Sequence, residues 1–313
     1  MDKRWDVMIC GDVNIDLVVP GVAKLPAPGS EEDVSAMETF VGGGAALFAL
    51  GAAKLGLKTV FQGSVGADMY GAYIRRVFRE TSVDDALLAD HPAAGTGISI
   101  SFTTAQDRCF LTYRGTNADL SLDNLNFEAL AQARHIHITG YAGERNHEEY
   151  DNALKKIKAL GGVTVSFDVG WDDTGLWYAG IFDLLPMIDV LFMNETECLH
   201  YTRCQDVKEG ARRLAEQAGM AVVKLGKKGA LAVRQGREWF VPGFTVQAVD
   251  TTGAGDSFNA GFVYGYLNGL PVEECLRRGN GCGALSVTAL GGNTAFPWLS
   301  ELEEWLANSK KGE

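Results

Sequence analysis

An α/β fold built on a parallel sheet wrapped by helices, with a small separate β-sheet at one end, is the class this sequence predicts. Two observations carry it. Through the middle and C-terminal parts, short apolar runs alternate with helix-length segments, the order that strand–helix–strand units impose on a chain. Two stretches, 17–40 and 97–114, break that rhythm. The first holds Pro20, Pro26, Pro28 and Gly29 among valines and acids, and proline fixes φ and removes a donor, so it is extended rather than helical. In the second, Ile98, Ile100 and Phe102 alternate up to a polar Gln106-Asp107-Arg108 turn, and Cys109, Leu111 and Tyr113 alternate after it. That period of two, broken by a turn, predicts a β-hairpin.

The elements follow in order. Val7, Met8, Ile9 and Cys10 are apolar without alternation, as a strand buried on both faces is. Residues 44–55 are rich in alanine, the best helix former, and Gly56 supplies a C-cap. Residues 59–62 are strand-like, and 68–79 carry apolar residues at helical spacing. Further strands are expected at 135–139, 163–167, 190–193 and 221–225, with helices over 145–160, 173–185 and 207–217 between them. Three more helices, 253–267, 272–287 and 299–307, close the chain. No repeat, heptad or low-complexity tract divides residues 1–313, so one domain is expected, with 17–40 and 97–114 forming a small β subdomain.

Composition narrows the function. With 46% hydrophobic and 22% charged residues the chain has the balance of a globular protein with a substantial core. No run approaches the ~18 consecutive apolar residues of a membrane helix. The opening Met1-Asp2-Lys3-Arg4-Trp5-Asp6 lacks the apolar block of a secretory leader, so a cytoplasmic address is expected. The net charge of −12 repels phosphate backbones and anionic lipid, so neither nucleic acid nor membrane is an expected partner. Six scattered cysteines read as reduced structural thiols. His135 and His137 alternate inside a strand and share one face, where structural burial rather than metal binding is expected.

The strongest chemical signal is Val249-Asp250-Thr251-Thr252-Gly253-Ala254-Gly255-Asp256-Ser257-Phe258-Asn259-Ala260-Gly261-Phe262. A strand delivers two threonines, and a Gly-Ala-Gly turn then opens a helix. Glycine lets backbone approach a ligand closely, and the first helical turn presents unpaired N–H groups. Together they make an anion site suited to the charge on a phosphoryl group in transfer. Asp256 stands in the same turn, able to accept a proton from an attacking hydroxyl.

This stretch resembles the ribokinase-like (PfkB) family of carbohydrate kinases, and the resemblance extends over nearly the whole chain. It implies a three-layer sandwich with a central, mostly parallel sheet and a small β-sheet lid. It also implies ATP- and Mg²⁺-dependent phosphorylation of a hydroxyl, a primary one, on a small sugar-like substrate. Asp256 would be the base and Gly253, Ala254 and Gly255 the anion hole. Asn194-Glu195-Thr196-Glu197 matches the family's Asn-x-x-Glu, which places Asn194 and Glu197 on one hydrated Mg²⁺. The same residues equally describe a capped helix start. Gly226-Lys227-Lys228-Gly229 looks like the nucleotide-side loop, with Lys224 facing the phosphates and Asn280 approaching the adenine. Asn14 and Asp16, in Gly11-Asp12-Val13-Asn14-Ile15-Asp16, would meet substrate hydroxyls beside the Gly42-Gly43-Gly44 loop. Asp250 and Thr252 match positions lining a monovalent-cation site, with K⁺ the expected ion.

Two departures turn the expectation away from plain ribose or fructose. Leu47 stands where Gly-Gly-x-x-x-Asn would put asparagine. A hydroxyl facing it would lose a hydrogen bond, at ~1–3 kcal/mol if buried and unpaired. Fructokinase-like members carry Asp-Pro-Asn-x-Arg where this chain has Asp168-Val169-Gly170-Trp171-Asp172. Arg114 could reach a substrate carboxylate or phosphate or simply end a strand. Phe102, Phe110 and Tyr113 leave a nucleoside acceptor open, and Leu47 leaves open a non-catalytic sugar-binding protein. Neither a Gly-x-Gly-x-x-Gly after the first strand nor a Walker motif is present. Exposed edges of the lid strands suggest a homodimer.

Overall fold

The computed structural model describes residues 3–22, 28–103 and 108–309. The chain enters through β1 (Trp5–Cys10), then leaves for a small sheet as β2 (Asn14–Val19) and β3 (Glu38–Gly42). Helix α1 (Gly44–Lys54) returns it to a large sheet, where β4 (Thr59–Gly66), α2 (Met69–Glu80) and β5 (Val83–His91) follow. A second excursion, β6 (Gly97–Thr103) and β7 (Arg108–Tyr113), completes the small sheet. Helix α3 (Phe127–Leu130) then leads to β8 (Ala133–Ile138), α4 (His147–Leu160), β9 (Thr164–Asp168) and α5 (Ile181–Leu184). Next come β10 (Val190–Asn194), α6 (Glu195–Thr202), α7 (Val207–Ala215) and β11 (Ala221–Lys224). A hairpin of β12 (Gly229–Arg234) and β13 (Arg237–Pro242) precedes α8 (Ala254–Leu267), α9 (Val272–Ser286) and α10 (Leu299–Ser309).

The nine-stranded sheet runs β13-β12-β11-β10-β9-β8-β1-β4-β5, parallel from β11 to β5 and antiparallel at β12 and β13. Strand side chains point alternately to the two faces, and each face has its own core. Val7 and Ile9 join α1, α2, α8, α9 and α10 on one side, while Met8 and Cys10 join α3 to α7 on the other. Strands β1, β10 and β11 are therefore apolar on both faces, which explains their unalternated runs, while β8 and β9 bury His135, His137 and Ser166 among the apolar side chains. The small sheet is ordered β3-β2-β6-β7, so both segments singled out by their composition contribute strands to one sheet, the first only through its two ends. The β6–β7 pairing is the expected hairpin, although Gln106 and Asp107 of its turn, like Pro26, lie outside the described residues.

The helix expected over 173–185 does not form; only Ile181–Leu184 is α-helical there. Asp172 Oδ1 accepts from Thr174 N and Oγ1, and its Oδ2 accepts from Trp177 N at 2.6 Å, a side-chain turn that competes with the helical ladder. Gly175 and Trp177 take φ of +68° and +50°, and Pro186 closes the segment. The helix expected from 145 begins at His147, and β5 is a strand that periodicity missed, its burial being only partial.

Parallel strands place their carboxyl ends at one edge of the sheet. Asp12, Thr139, Asp168, Asn194 and Lys224 end or follow β1, β8, β9, β10 and β11 there, where α1 and α8 begin.

Candidate active site

Helix α8 opens on Gly253, at φ +72° and ψ 0°, with no side-chain cap. A Cβ there would strike the Gly292 carbonyl and lie 3.1 Å from Leu47 Cδ1, so glycine is required for both conformation and space. The N–H groups of Ala254, Gly255 and Asp256 thus begin the helix with no side chain across them, as an anion site needs. Asp256 reaches toward the start of α1, where a Cβ on Gly44 would sit 3.4 Å from its Oδ1.

Two cavities, each of about 480 Å³, flank this turn. One is lined by Asp12, Gly44, Asp168, Glu197, Lys224 and Asp256, with Arg114, Arg145 and Trp171 among its more exposed walls. The other is lined by Gly226, Gly229, Phe244, Gly255, Phe258 and Asn280, and again by Lys224. Among the described residues, Lys224 alone lines both.

The electrostatics of the first cavity are dominated by carboxylates. Lys224 Nζ and Asn259 Nδ2 both donate to Asp168 Oδ2 at 2.5 Å, and Gly170 N donates to Oδ1. Burial would raise the Asp168 pKa, but the Lys224 charge and these hydrogen bonds outweigh it and hold the group below the ordinary carboxylate range. Burial pulls Lys224 down, and Asp168 and Glu197 more than reverse that. No hydrogen bond to the Asp256 carboxylate is found among the described residues: burial, reinforced by Asp168 and only partly offset by the Lys224 charge, lifts it well above its usual value. Glu197 is pushed up to about 7, first by burial and then by Asp168. Asp12 caps α1 instead, accepting from Gly44 N at 3.0 Å and Ala45 N at 3.2 Å, with Thr139 Oγ1 at 3.3 Å. At the more exposed wall, Arg145 and Arg114 share Asp173, at 2.5 and 3.6 Å.

Asn194 and Glu197 form a complete capping box. Asn194 Oδ1 accepts from Glu197 N at 2.9 Å, and the Glu197 carboxylate accepts from Asn194 N and Nδ2, both at 2.7 Å. Among the described residues no three His, Cys, Asp or Glu side chains are gathered to hold a metal directly. The arrangement fits Mg²⁺ all the same, because that ion keeps its waters and binds through one or two carboxylates plus phosphates. Burial and the neighbouring Asp168 charge, which the Lys224 ammonium only partly offsets, push Glu197 up to about 7, and a bound cation would relieve both.

Asn280 Nδ2 donates to the Val241 and Pro242 carbonyls at 3.0 and 3.1 Å, which fixes it at the wall of the second cavity. Gly226 and Gly229 take φ of +57° and +113° in the turn between β11 and β12. Asp250 Oδ1 accepts from Thr252 N and Oγ1, and its Oδ2 accepts from Gly291 N, tying the loop before α8 to the loop after α9. Asn14 Nδ2 donates to Asp16 Oδ1 at 2.8 Å, and a Cβ on Gly42 would overlap the Asp16 carboxylate. Burial raises the Asp16 pKa to about 6, against the Asn14 bond and with help from Asp12 and Asp250. Neither Asn14 nor Asp16 lines the first cavity; Asp12 and Gly44 do.

Leu47 is 3% exposed and packs on Gly253 and Gly292, so its side chain is committed to the turn rather than to the cavity. The hydrogen-bond loss expected from it does not fall on a cavity wall. Sequence reasoning missed Asp12 and Asn259 as site residues. The signal for Asn259 was present: it is the lone amide in the apolar run Phe258-Asn259-Ala260-Gly261-Phe262, and it is fully buried.

An uncapped helix start beside a carboxylate, set between two cavities at the carboxyl edge of an α/β sheet, has the parts that a phosphotransferase site needs. The pfkB family carbohydrate kinase model matches residues 5–299, and the chain belongs to that family. It is therefore a carbohydrate kinase. It is 28% identical to a 5-dehydro-2-deoxygluconokinase of Geobacillus thermodenitrificans, over 98% of this chain and 95% of that one. It is 30% identical to a fructokinase of Salmonella typhimurium, over 95% and 97%. Arabidopsis thaliana ribokinase, solved with ribose and ATP, superposes with a TM-score of 0.83 at 26% identity, over 98% and 99% of the two chains. An E. coli protein solved with ATP and Mg²⁺ shares the fold at a TM-score of 0.83 and 22% identity, covering 98% and 100%. Kinases of this family use ATP with Mg²⁺. Among the described residues no helix is long and apolar enough to cross a membrane.

Proposed function

We propose that this carbohydrate kinase transfers the γ-phosphoryl group of ATP to a primary hydroxyl of a small sugar-like acceptor, with Asp256 as the base. The observation that carries the reading is the placement of Asp256 and the uncapped Gly253–Gly255 turn between two cavities, one lined by carboxylates and one by glycine and apolar side chains. The second cavity takes the nucleotide, with Asn280 at the base, Gly226 and Gly229 along it, and Lys224 at the phosphates. The first takes the acceptor. Asp256 receives the hydroxyl proton, a bond forms from that oxygen to the γ-phosphorus, and the bond to the β–γ bridging oxygen breaks to release ADP. The N–H groups of the turn meet the charge on the transferred group.

Asn194 and Glu197 would hold Mg²⁺ through water, and when bound it offsets phosphate charge. Asn14 and Asp16 lie outside the lining of the first cavity, and would meet only acceptor hydroxyls that extend past Asp12 and Gly44 toward Gly42 and Gly43. Asp250 and Thr252, with carbonyls of the loop 289–291, would hold K⁺ behind the anion hole. We further place a homodimer contact on the small sheet, whose β7 exposes Phe110, Leu111 and Tyr113 by more than half. A monomer by light scattering at working concentration removes that contact.

The relatives' names make keto and deoxy sugar derivatives the first acceptors to try. The paired Arg114 and Arg145 make sugar acids the second. The experiment is Mg²⁺-dependent ADP formation across hexoses, pentoses, sugar acids, sugar phosphates and nucleosides, with Asp256→Asn alongside. Acceptor-dependent turnover that vanishes in the variant supports the reading, and a nucleoside as best acceptor replaces the sugar with a nucleoside. Near-normal turnover by a folded Asp256→Asn removes Asp256 as the base.

A further inference from the structure

Lys224 stands where the two cavities meet, and a lysine has four rotatable bonds with which to leave. Its ammonium lies against the anion-binding turn, 3.2 Å from where a Cβ on Gly255 would be. Three carboxylates compete for it, because Asp168, Glu197 and Asp256 all act on its charge. Pairing with Asp256 would neutralise the group that must accept a proton, and pairing with Glu197 would draw the charge toward α6. The partner actually taken is Asp168, at 2.5 Å.

Asp168 is in turn held by the helix that carries the turn. Asn259 Nδ2 donates to the same Oδ2, also at 2.5 Å, and Asn259 lies three residues, close to one helical turn, after Asp256 on α8. Asn259 is fully buried and Asp168 is 8% exposed, so this contact is built into the interior rather than gathered from the surface. The amide keeps this orientation although its own Oδ1, and Nε2 of His137, are buried without a partner among the described residues. Leaving a buried acceptor unmatched is unfavourable, which marks the Asp168 contact as the one the site retains.

Resting on the kinase reading, we propose that Asp168 and Asn259 are positioning residues: they fix the Lys224 ammonium at the meeting point of the cavities, facing the phosphoryl group in transit and off the Asp256 base. The lysine then acts electrostatically on charge that develops during transfer, and its two holders act only through it.

The test compares the affinity of Mg²⁺–ADP with that of Mg²⁺–ADP plus aluminium fluoride, a mimic of the phosphoryl group in flight, by calorimetry and without any acceptor. Lys224→Met, Asp168→Asn and Asn259→Ala are each expected to weaken the fluoride adduct about tenfold or more while shifting ADP alone less than about threefold. The double variant Asp168→Asn/Lys224→Met is expected to be no weaker than Lys224→Met, because residues that act through one another are not additive. Asp168→Asn leaves a buried ammonium unpaired and can fail to fold. Asn259→Ala and the double variant, in which both charges are gone, then carry the comparison. An unchanged adduct affinity in Asn259→Ala, additive losses in the double variant, or a wild type that gains nothing from aluminium fluoride overturns the proposal. A wild type that binds no adenine nucleotide is a different result: it removes the kinase reading itself.

Discussion

The two cavities that meet at Lys224 are built from different materials. The nucleotide side is mostly backbone and apolar wall: the Gly226–Gly229 turn, the Gly253–Gly255 turn, Phe244, Phe258 and Val287. The proposed acceptor side is mostly side chains brought in from the ends of several elements: Asp12, Arg114, Thr139, Arg145 and, at and just after the end of β9, Asp168 and Trp171. Backbone N–H groups recognise a phosphate in any sequence that can take the required turn, so this half depends on conformation. Side chains recognise by their own chemistry, so the other half can change its ligand one substitution at a time. On the proposed function, the difference assigns phosphoryl transfer to the turns and acceptor choice to the side chains of the loops.

The sharpest way to break that division is at its boundary. Asp256→Asn keeps shape and removes the base, and kcat is expected to fall ~10²–10⁴-fold, about 3–5 kcal/mol of barrier, with the KM for ATP little changed. A large rise in the ATP KM instead would move Asp256 to the nucleotide side. Next in size is Gly253→Ala. With φ at +72° and the Gly292 carbonyl in the way, the turn must shift. Loss of kcat by roughly 10–100-fold is expected, together with about 1–3 kcal/mol of stability, checked by steady-state kinetics and denaturant melts. Full turnover in Gly253→Ala would mean that the backbone of this turn does not carry the chemistry.

The same division explains what was legible in the sequence. The transfer turn is fourteen contiguous residues, and its glycines are needed for steric reasons that leave a fixed pattern, so residues 249–262 announced it. The capping box at Asn194 and Glu197 was equally local. The acceptor side is assembled from loops distant in sequence, and nothing in Arg145 or Thr139 alone marks it as lining a cavity with Asp256. Long-range pairs were invisible for the same reason: Asp168 and Asn259 are ninety-one positions apart, and Lys224 joins them only after β9 and β11 lie in one sheet. In the fold, buried strands and alanine-rich helices were read from burial patterns. The 173–185 segment was misread because Asp172 turns the chain with its own side chain, a contact no periodicity reports.

On the acceptor side, smaller and more selective effects are expected. Arg114→Gln and Arg145→Gln should each raise the KM of an anionic acceptor by roughly 3–10-fold while leaving neutral acceptors and ATP unchanged, since a partly exposed charge contributes about 1 kcal/mol. Equal effects on neutral and anionic acceptors would make these arginines mere anchors for Asp173.

The smallest expected effect separates binding from stability at Asp16. Burial raises its pKa from 3.8 to about 6, so the fold favours the neutral acid. The stability this group contributes is present below about 3.8 and is lost as pH rises through about 6. At pH 8 the wild type therefore keeps an unfavourable carboxylate that Asp16→Asn removes, while an amide oxygen remains to accept from Asn14 Nδ2. The variant is expected to melt a few degrees higher at pH 8, on the order of 2–4 °C per kcal/mol, with the gain shrinking toward pH 5. Its acceptor KM is expected to rise, because a carboxylate accepts from hydroxyls more strongly than an amide does. A residue whose charge costs stability yet improves binding is held for its ligand. A lower melting temperature at pH 8 would instead make Asp16 a structural anchor of Gly42 and leave Asp12 as the carboxylate nearest the acceptor.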